Sequence, residues 1–238
     1  MKRSAAIDSV LENGWLSAVP RGFSDTLLRQ CALIRAPDGM QLYEHGSERG
    51  GLYGIAAGRM GITLPVDLDG SVLVHIAGPG LWTGSVAAFT GLQRQVVGVV
   101  MLGDSWLFHL PVAAMNTLVA HEAEAWRWLS VLASMNLATS LEVIEAYATP
   151  DPMRRVAKVL LRLRRHKAVE GRRVLATQSE LAQMARLSRS AVNAALGRMA
   201  ASGAVVLAYG AAEIIDAQRL IALAYDGEPG QASVPVIP

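Results

Sequence analysis

Thr177–Asp216 reads TQSELAQMARLSRSAVNAALGRMAASGAVVLAYGAAEIID, and this stretch decides the fold. Thr177 suits a helix start, and Glu180 three residues later completes a capping box. Leu181, Met184 and Ala185 then fall on one helical face. Arg186-Leu187-Ser188 makes the turn, and Ser188 is a good N-cap for a second helix. In that helix Val192, Ala195, Leu196 and Met199 face inward, leaving Arg189, Ser190, Asn193 and Arg198 outside. Gly203 ends the helical region. Val205–Ala208 and Glu213–Asp216 are expected to be strands around a Tyr209-Gly210-Ala211-Ala212 turn. Two helices joined by a tight turn, then a two-stranded wing, is the form of a helix-turn-helix reader of the DNA major groove.

Charge points the same way. Residues 150–219 hold 13 Lys+Arg against 5 Asp+Glu, a net of +8; the rest of the chain holds 9 against 15, a net of −6. The overall +2 hides this asymmetry. A basic segment is the electrostatic footprint of phosphate contact. Arg162, Arg164, Arg165, Lys167, Arg172 and Arg173 supply much of it, and the bland alternative is a solvated basic face.

Working outward, 238 residues allow two domains. Despite 52% hydrophobic residues, no run of 18 apolar residues is free of charge, so no membrane span is expected. MKRSAAIDSV lacks the apolar stretch of a signal peptide. The single cysteine, Cys31, cannot form an internal disulfide or a four-Cys cluster. The cytoplasm is the expected compartment.

From about Ala36 to Pro111, short apolar runs are divided by glycines: Gln41–Tyr43, Leu52–Ala56, Arg59–Leu64, Val72–Ile76, Val96–Met101 and Trp106–Leu110. This spacing predicts a sandwich or small barrel, preceded by helices near Ile7–Leu16 and Phe23–Cys31. Val112–Ala148 contains no Pro or Gly and predicts helix. A 3,4 spacing through Ala125, Leu129, Leu132, Asn136, Thr139, Val143 and Ala146 predicts a seam across a homodimer axis, with Asn136 fixing register. The alternative is a helix packed only on its own domain. Pro150 and Pro152 mark a hinge. The expected fold class is α+β: an N-terminal β-roll (jelly-roll, double-stranded β-helix) with helices over 1–111, a long dimerisation helix over 112–149, a winged helix-turn-helix over 150–225, and a loose tail over 226–238.

This order resembles the CRP/FNR family of bacterial transcription regulators. Gly39, Leu42, Gly46, Leu52, Tyr53, Ile55 and Gly58, within APDGMQLYEHGSERGGLYGIAAGRMGI, match its early glycine and strand pattern. Glu180, Leu181, Ala182, Ser188, Arg189 and Val192 match its DNA domain. The resemblance implies a homodimer that binds palindromic double-stranded DNA and moves its DNA domains when an effector binds. RNA polymerase is a further potential partner. The implied DNA-contacting residues are Gln178, Ser179, Ser188, Arg189, Ser190, Asn193 and Arg198. Arg189 is placed for guanine O6 and N7, while Gln178 and Ser179 touch phosphates.

Two departures bear on mechanism. The family's nucleotide cassette carries Gly-Glu-Leu and then Arg-Ser/Thr-Ala. Here Gly84 and Val86 fit, Ser85 replaces the glutamate, and Arg94 precedes Gln95 and Val96 in place of the usual pair. Thr139 and Ser140 match a pair that touches the base in nucleotide-binding relatives. These six residues, Gly84, Ser85, Val86, Arg94, Thr139 and Ser140, are the candidate effector pocket. A neutral Ser85 cannot supply the charged acceptor a ribose diol favours, so no tight response to cyclic AMP or cyclic GMP is expected. Another effector in that cavity stays open, as does constitutive activity with the cavity filled by side chains such as Trp82. In the recognition helix, Ser190 and Ala194 replace a Glu and an Arg of the best-known member.

No cofactor, metal site or catalytic residue is expected. His45, His75, His109 and His121 are isolated, no H-x-H pair exists, and His121-Glu122 lacks the second His of H-E-x-x-H. No G-x-S-x-G, P-loop or G-x-G-x-x-G occurs, so an enzyme is not expected. The competing reading is a protein-interaction or small-ligand sensor module whose winged helix has lost DNA contact.

Overall fold

The computed structural model describes residues 1–48, 50–67, 70–85, 94–208 and 210–225. Val86, Tyr209 and the expected tail over 226–238 lie outside the described residues. The chain divides into two units, residues 1–71 with 76–138, and residues 72–75 with 139–238.

In the first unit, α1 (Arg3–Glu12) and α2 (Arg21–Arg29) flank a short 3-10 turn (Trp15–Ser17). Then come β1 (Ala32–Ala36), β2 (Gln41–Tyr43), β3 (Leu52–Ala57), β4 (Met60–Asp67), β5 (Gly70–Ala77, whose Val72–His75 count with the second unit), β6 (Trp82–Thr83), β7 (Gly98–Met101) and β8 (Ser105–Leu110). They form two four-stranded sheets, β1-β8-β3-β6 and β2-β7-β4-β5. This is the jelly-roll expected; the apolar-run reading missed β1 and the two-residue β6.

Strand alternation divides the core. Ala36, Ile55 and Leu107 of one sheet meet Tyr43, Met60, Val99 and Met101 of the other. The neighbouring residues of the first sheet, Leu52, Ala56, Phe108 and Leu110, face the opposite way, onto the helices. Because β3 and β8 are buried on both faces, they read as continuous apolar runs and not as alternating ones. Trp82 sits on this helix side, 1% exposed and edge-on to Trp15 at 5.6 Å. Gly54 makes room for it, since a Cβ there would strike the Trp82 ring.

The segment 112–148 is two helices, α3 (Val112–His121) and α4 (Ala125–Ala148). No Pro or Gly signals the break. Glu122 leaves helical geometry at φ −108°, ψ 105°, and the turn lets Met115 and Leu118 of α3 join Ala125, Leu129 and Leu132 of α4 in the same core. Among the described residues, α4 is the one helix long and apolar enough to cross a membrane, with a window of mean hydropathy 1.2. Interspersed Arg127, Glu142 and Glu145 kept it from passing as a charge-free run.

The second unit holds α5 (Pro152–Arg165), β9 (Val169–Glu170), β10 (Arg173–Val174), α6 (Gln178–Ala185), α7 (Arg189–Ala201), β11 (Val205–Ala208), β12 (Ala211–Ile214) and α8 (Ala217–Ala224). Asp151 caps α5, accepting from the Arg154 amide at 2.8 Å, and Pro152 takes the first turn, where its missing N–H costs nothing. The wing is not two-stranded: β11 and β12 extend into a four-stranded sheet ordered β11-β12-β10-β9. Its hairpin is also tighter than expected. Ala208 pairs with Ala211, so Ala211 and Ala212 are strand residues, and Gly210 supplies φ +65° in the turn.

Candidate nucleic-acid interface

The helix-turn-helix forms through the caps its sequence carries. The Thr177 amide donates to Glu180 Oε2 at 2.6 Å, and the Glu180 amide donates to Thr177 Oγ1 at 3.2 Å. Ser188 Oγ accepts from the Ala191 amide at 3.2 Å and so starts α7. Between the helices, Arg186 adopts the left-handed region at φ 52°, and the Leu187 amide closes on the Ala182 carbonyl at 3.0 Å. The inward faces are as spaced: Leu181, Met184 and Ala185 of α6 and Val192, Ala195, Leu196 and Met199 of α7 are buried.

Opposite them, Gln178, Ser179, Ser188, Arg189, Ser190, Asn193 and Arg198 are all exposed. Gln178, Ser179 and Arg189 line one groove of about 520 Å³, together with Thr177, Leu207 and Gly210. The start of α6, the start of α7 and the wing therefore share one concave surface. Two helix N-termini opening there present positive dipole ends, which favour anions. Ser188 and Ser190 are bonded to each other at 2.9 Å, so they hold the cap as well as the surface.

The basic surplus is not all available to that surface. Arg162 is buried at 2% exposed and donates to the Val74 carbonyl at 3.0 Å; burial lowers its pKa to about 10, and it is not part of a solvated face. Arg172 donates to the Ile214 and Ile215 carbonyls. Arg165 pairs with Glu142 at 2.7 Å and Lys158 with Glu145 at 2.7 Å. Arg155 holds the Thr149 and Ala185 carbonyls. These side chains are taken up by contacts within the second unit.

The expected dimer seam is a correction. Leu129, Leu132, Val143 and Ala146 are buried within their own chain at 9% exposure or less, so they cannot meet a partner. Asn136 turns inward too, donating to the Trp82 carbonyl and to Ser85 Oγ, both at 3.2 Å. Thr139 lies 3.4 Å from His166 Nε2. The seam is the helix's inner face, and a different stripe is outward. Trp126, Leu137, Leu141 and Ile144 are 53%, 61%, 56% and 60% exposed. Their spacing of 11, 4 and 3 also keeps one helical face. Neither register is uniformly apolar: the outward one carries Ser130, Ala133 and Ser134 between Trp126 and Leu137, and the inward one carries Asn136 and Thr139.

The candidate effector residues are divided between the units. Gly84, Ser85 and Arg94 belong to the first, Thr139 and Ser140 to the second. Gly84 is needed at φ +90°, where a Cβ would strike the Gly51 carbonyl. Ser85 is buried and takes the Asn136 amide. Arg94 is exposed and donates to the Gly46 carbonyl at 2.6 Å. Trp82 does not fill the roll, because it points to the helix side. Tyrosines that sequence reasoning passed over do enter it. Tyr43 is buried with its hydroxyl 2.6 Å from Thr83 Oγ1, and burial pushes its phenol pKa up. Tyr53 lies 5.8 Å from Tyr43 and stacks on His109 at 4.4 Å. Among the described residues no three His, Cys, Asp or Glu side chains cluster as metal ligands.

Residues 154–223 match the Crp-like helix-turn-helix domain model. No curated protein sequence matches the chain. Among solved structures, FixK2 of Bradyrhizobium japonicum superposes with a TM-score of 0.71 at 14% identity, over 81% of this chain and 96% of that one. TTHA1359, a CRP/FNR-family transcriptional regulator of Thermus thermophilus, gives 0.67 at 24% identity, over 83% and 100%. The c-di-GMP-responsive global regulator CLP of Xanthomonas campestris gives 0.66 at 18%, over 83% and 100%. Residues 154–223 thus form a Crp-like helix-turn-helix domain, in a chain with the fold of the CRP/FNR transcription regulators.

Proposed function

We propose that this protein is a dimeric, cytoplasmic transcription regulator that reads a palindromic DNA operator. The observation that carries the reading is the outward face of α7, where Arg189, Ser190, Asn193 and Arg198 stand exposed beside Gln178 and Ser179. Arg189, in the first turn, offers a planar fork matched to guanine O6 and N7. Gln178 and Ser179 fix the register on phosphates. Two copies joined along the apolar stripe of α4 would present two such helices to successive major grooves.

The effector reading is narrower. A cyclic nucleotide needs a charged acceptor for its ribose diol, and Ser85 is neutral and engaged by Asn136. Arg94 is engaged by Gly46. The protein therefore does not respond tightly to cyclic AMP; activity without an effector, or with one of different chemistry, fits this chain better.

The test is duplex DNA affinity as a function of salt, for the wild type and for Arg189→Ala. Released counterions make affinity fall steeply with salt if phosphates are bound. Arg189→Ala should cost about 1–3 kcal/mol on the operator and relax preference at one base. An equal loss on operator and scrambled DNA would show that Arg189 meets only the backbone.

A further inference from the structure

Resting on that DNA-reading assignment, we infer that Asn193 is the second base-reading residue of each half-site and that it selects adenine. The exposed residues of α7 are Arg189, Ser190, Asn193, Ala194, Gly197, Arg198 and Ala201. Three carry no polar side chain, and at Gly197 even an added Cβ would meet nothing within 4 Å. Ser190 is tied to Ser188 in the cap. Arg198 lies about 13 Å along the axis from Arg189 at 1.5 Å per residue, beyond the N-terminal turns that reach base edges. It is left to phosphates. Asn193 remains as the one exposed carboxamide of the helix, one turn from Arg189 and on the same side.

Chemistry then fixes the base. A carboxamide presents one acceptor and one donor side by side, the complement of adenine N6 and N7, as a guanidinium complements guanine. Four residues of helix advance about 6 Å, close to two base steps of about 3.4 Å. The half-site core is therefore a guanine with an adenine within a few base pairs of it, flanked by positions that the smooth Ala194–Gly197–Ala201 stripe leaves unread by hydrogen bonds.

The experiment is selection from random duplex DNA by the full-length wild type, Asn193→Ala and Asn193→Gln. Affinity is then measured on the enriched site and on copies carrying each other base at the adenine. The wild type should enrich a palindrome containing both bases. Asn193→Ala should keep the guanine and lose roughly tenfold or more of its discrimination at the adenine. Asn193→Gln, which can pair with the same edge, should retain it. An adenine preference that survives Asn193→Ala, or a loss equal on all sequences, overturns the inference while the DNA-reading assignment stands. If the wild type enriches no palindrome, that assignment fails and the inference falls with it.

Discussion

Replacing Leu141 by Glu on α4 should break the proposed dimer without unfolding the chain. Leu137, Leu141 and Ile144 are 61%, 56% and 60% exposed. Fully burying such a side chain is worth about 1.5–3 kcal/mol, so each has roughly half of that, about 1–1.5 kcal/mol, still to gain. Six of them across a two-fold axis supply about 6–9 kcal/mol, with Trp126 adding to it. That is comparable with the cost of association, about 4–15 kcal/mol, so the interface has little to spare. Leu141→Glu removes two contributions and places two carboxylates against apolar surface. A total loss of about 3–6 kcal/mol follows, a rise of roughly 10²–10⁴-fold in the dimer dissociation constant. Sedimentation equilibrium reads this directly. Leu132→Ala is the control: its side chain is 1% exposed inside its own chain, so it should cost about 2–5 kcal/mol of folding stability and leave the dimer constant alone. The reverse pattern, with Leu132→Ala dissociating the protein and Leu141→Glu leaving it dimeric, would refute the outward-stripe argument.

Three further outcomes follow from the same structure. Thr177→Ala removes the side-chain half of the capping box of α6 and should cost about 1 kcal/mol, read as a lower thermal midpoint. His75 is buried, and burial first, then His166, Arg162 and Arg165, holds its pKa well below the usual 6.5. A depressed value means that the unfolded chain takes the proton first. The contribution is full above pH 6.5 and is lost as pH falls toward the folded value, at about 1.4 kcal/mol per pH unit; His75→Phe should flatten the fall of the thermal midpoint between about pH 7 and pH 5.5, and an unchanged slope would rule His75 out. Calorimetry with cyclic AMP should give no micromolar binding, and micromolar binding would overturn the roles given to Ser85 and Arg94.

Local signals carried most of what was legible in the sequence. Thr177, Glu180 and Ser188 announce helix ends because capping is chemistry between near neighbours, and the inward faces of α6 and α7 follow from helical spacing alone. A sandwich or small barrel was legible from glycine-divided apolar runs, and the family resemblance narrowed it to the jelly-roll. What was not legible depended on distant partners. Which apolar face of α4 is buried depends on the elements packed against it, and periodicity alone supports both stripes. Arg162 counts as surface charge until the Val74 carbonyl is placed beside it. The direction of Trp82 follows from the pairing of two-residue β6 with β3, a strand too short to announce itself. The break at Glu122 carries no Pro or Gly, since exposed polar residues suffice for the turn.

The most direct test of the central claim is selection of random duplex DNA by the purified wild-type protein at physiological salt. A two-fold reader should enrich a palindrome with half-sites about one helical turn, roughly 10 bp, apart. Recovery of no motif, with an affinity that does not fall as salt rises, would contradict the assignment of α7 as a DNA-reading helix.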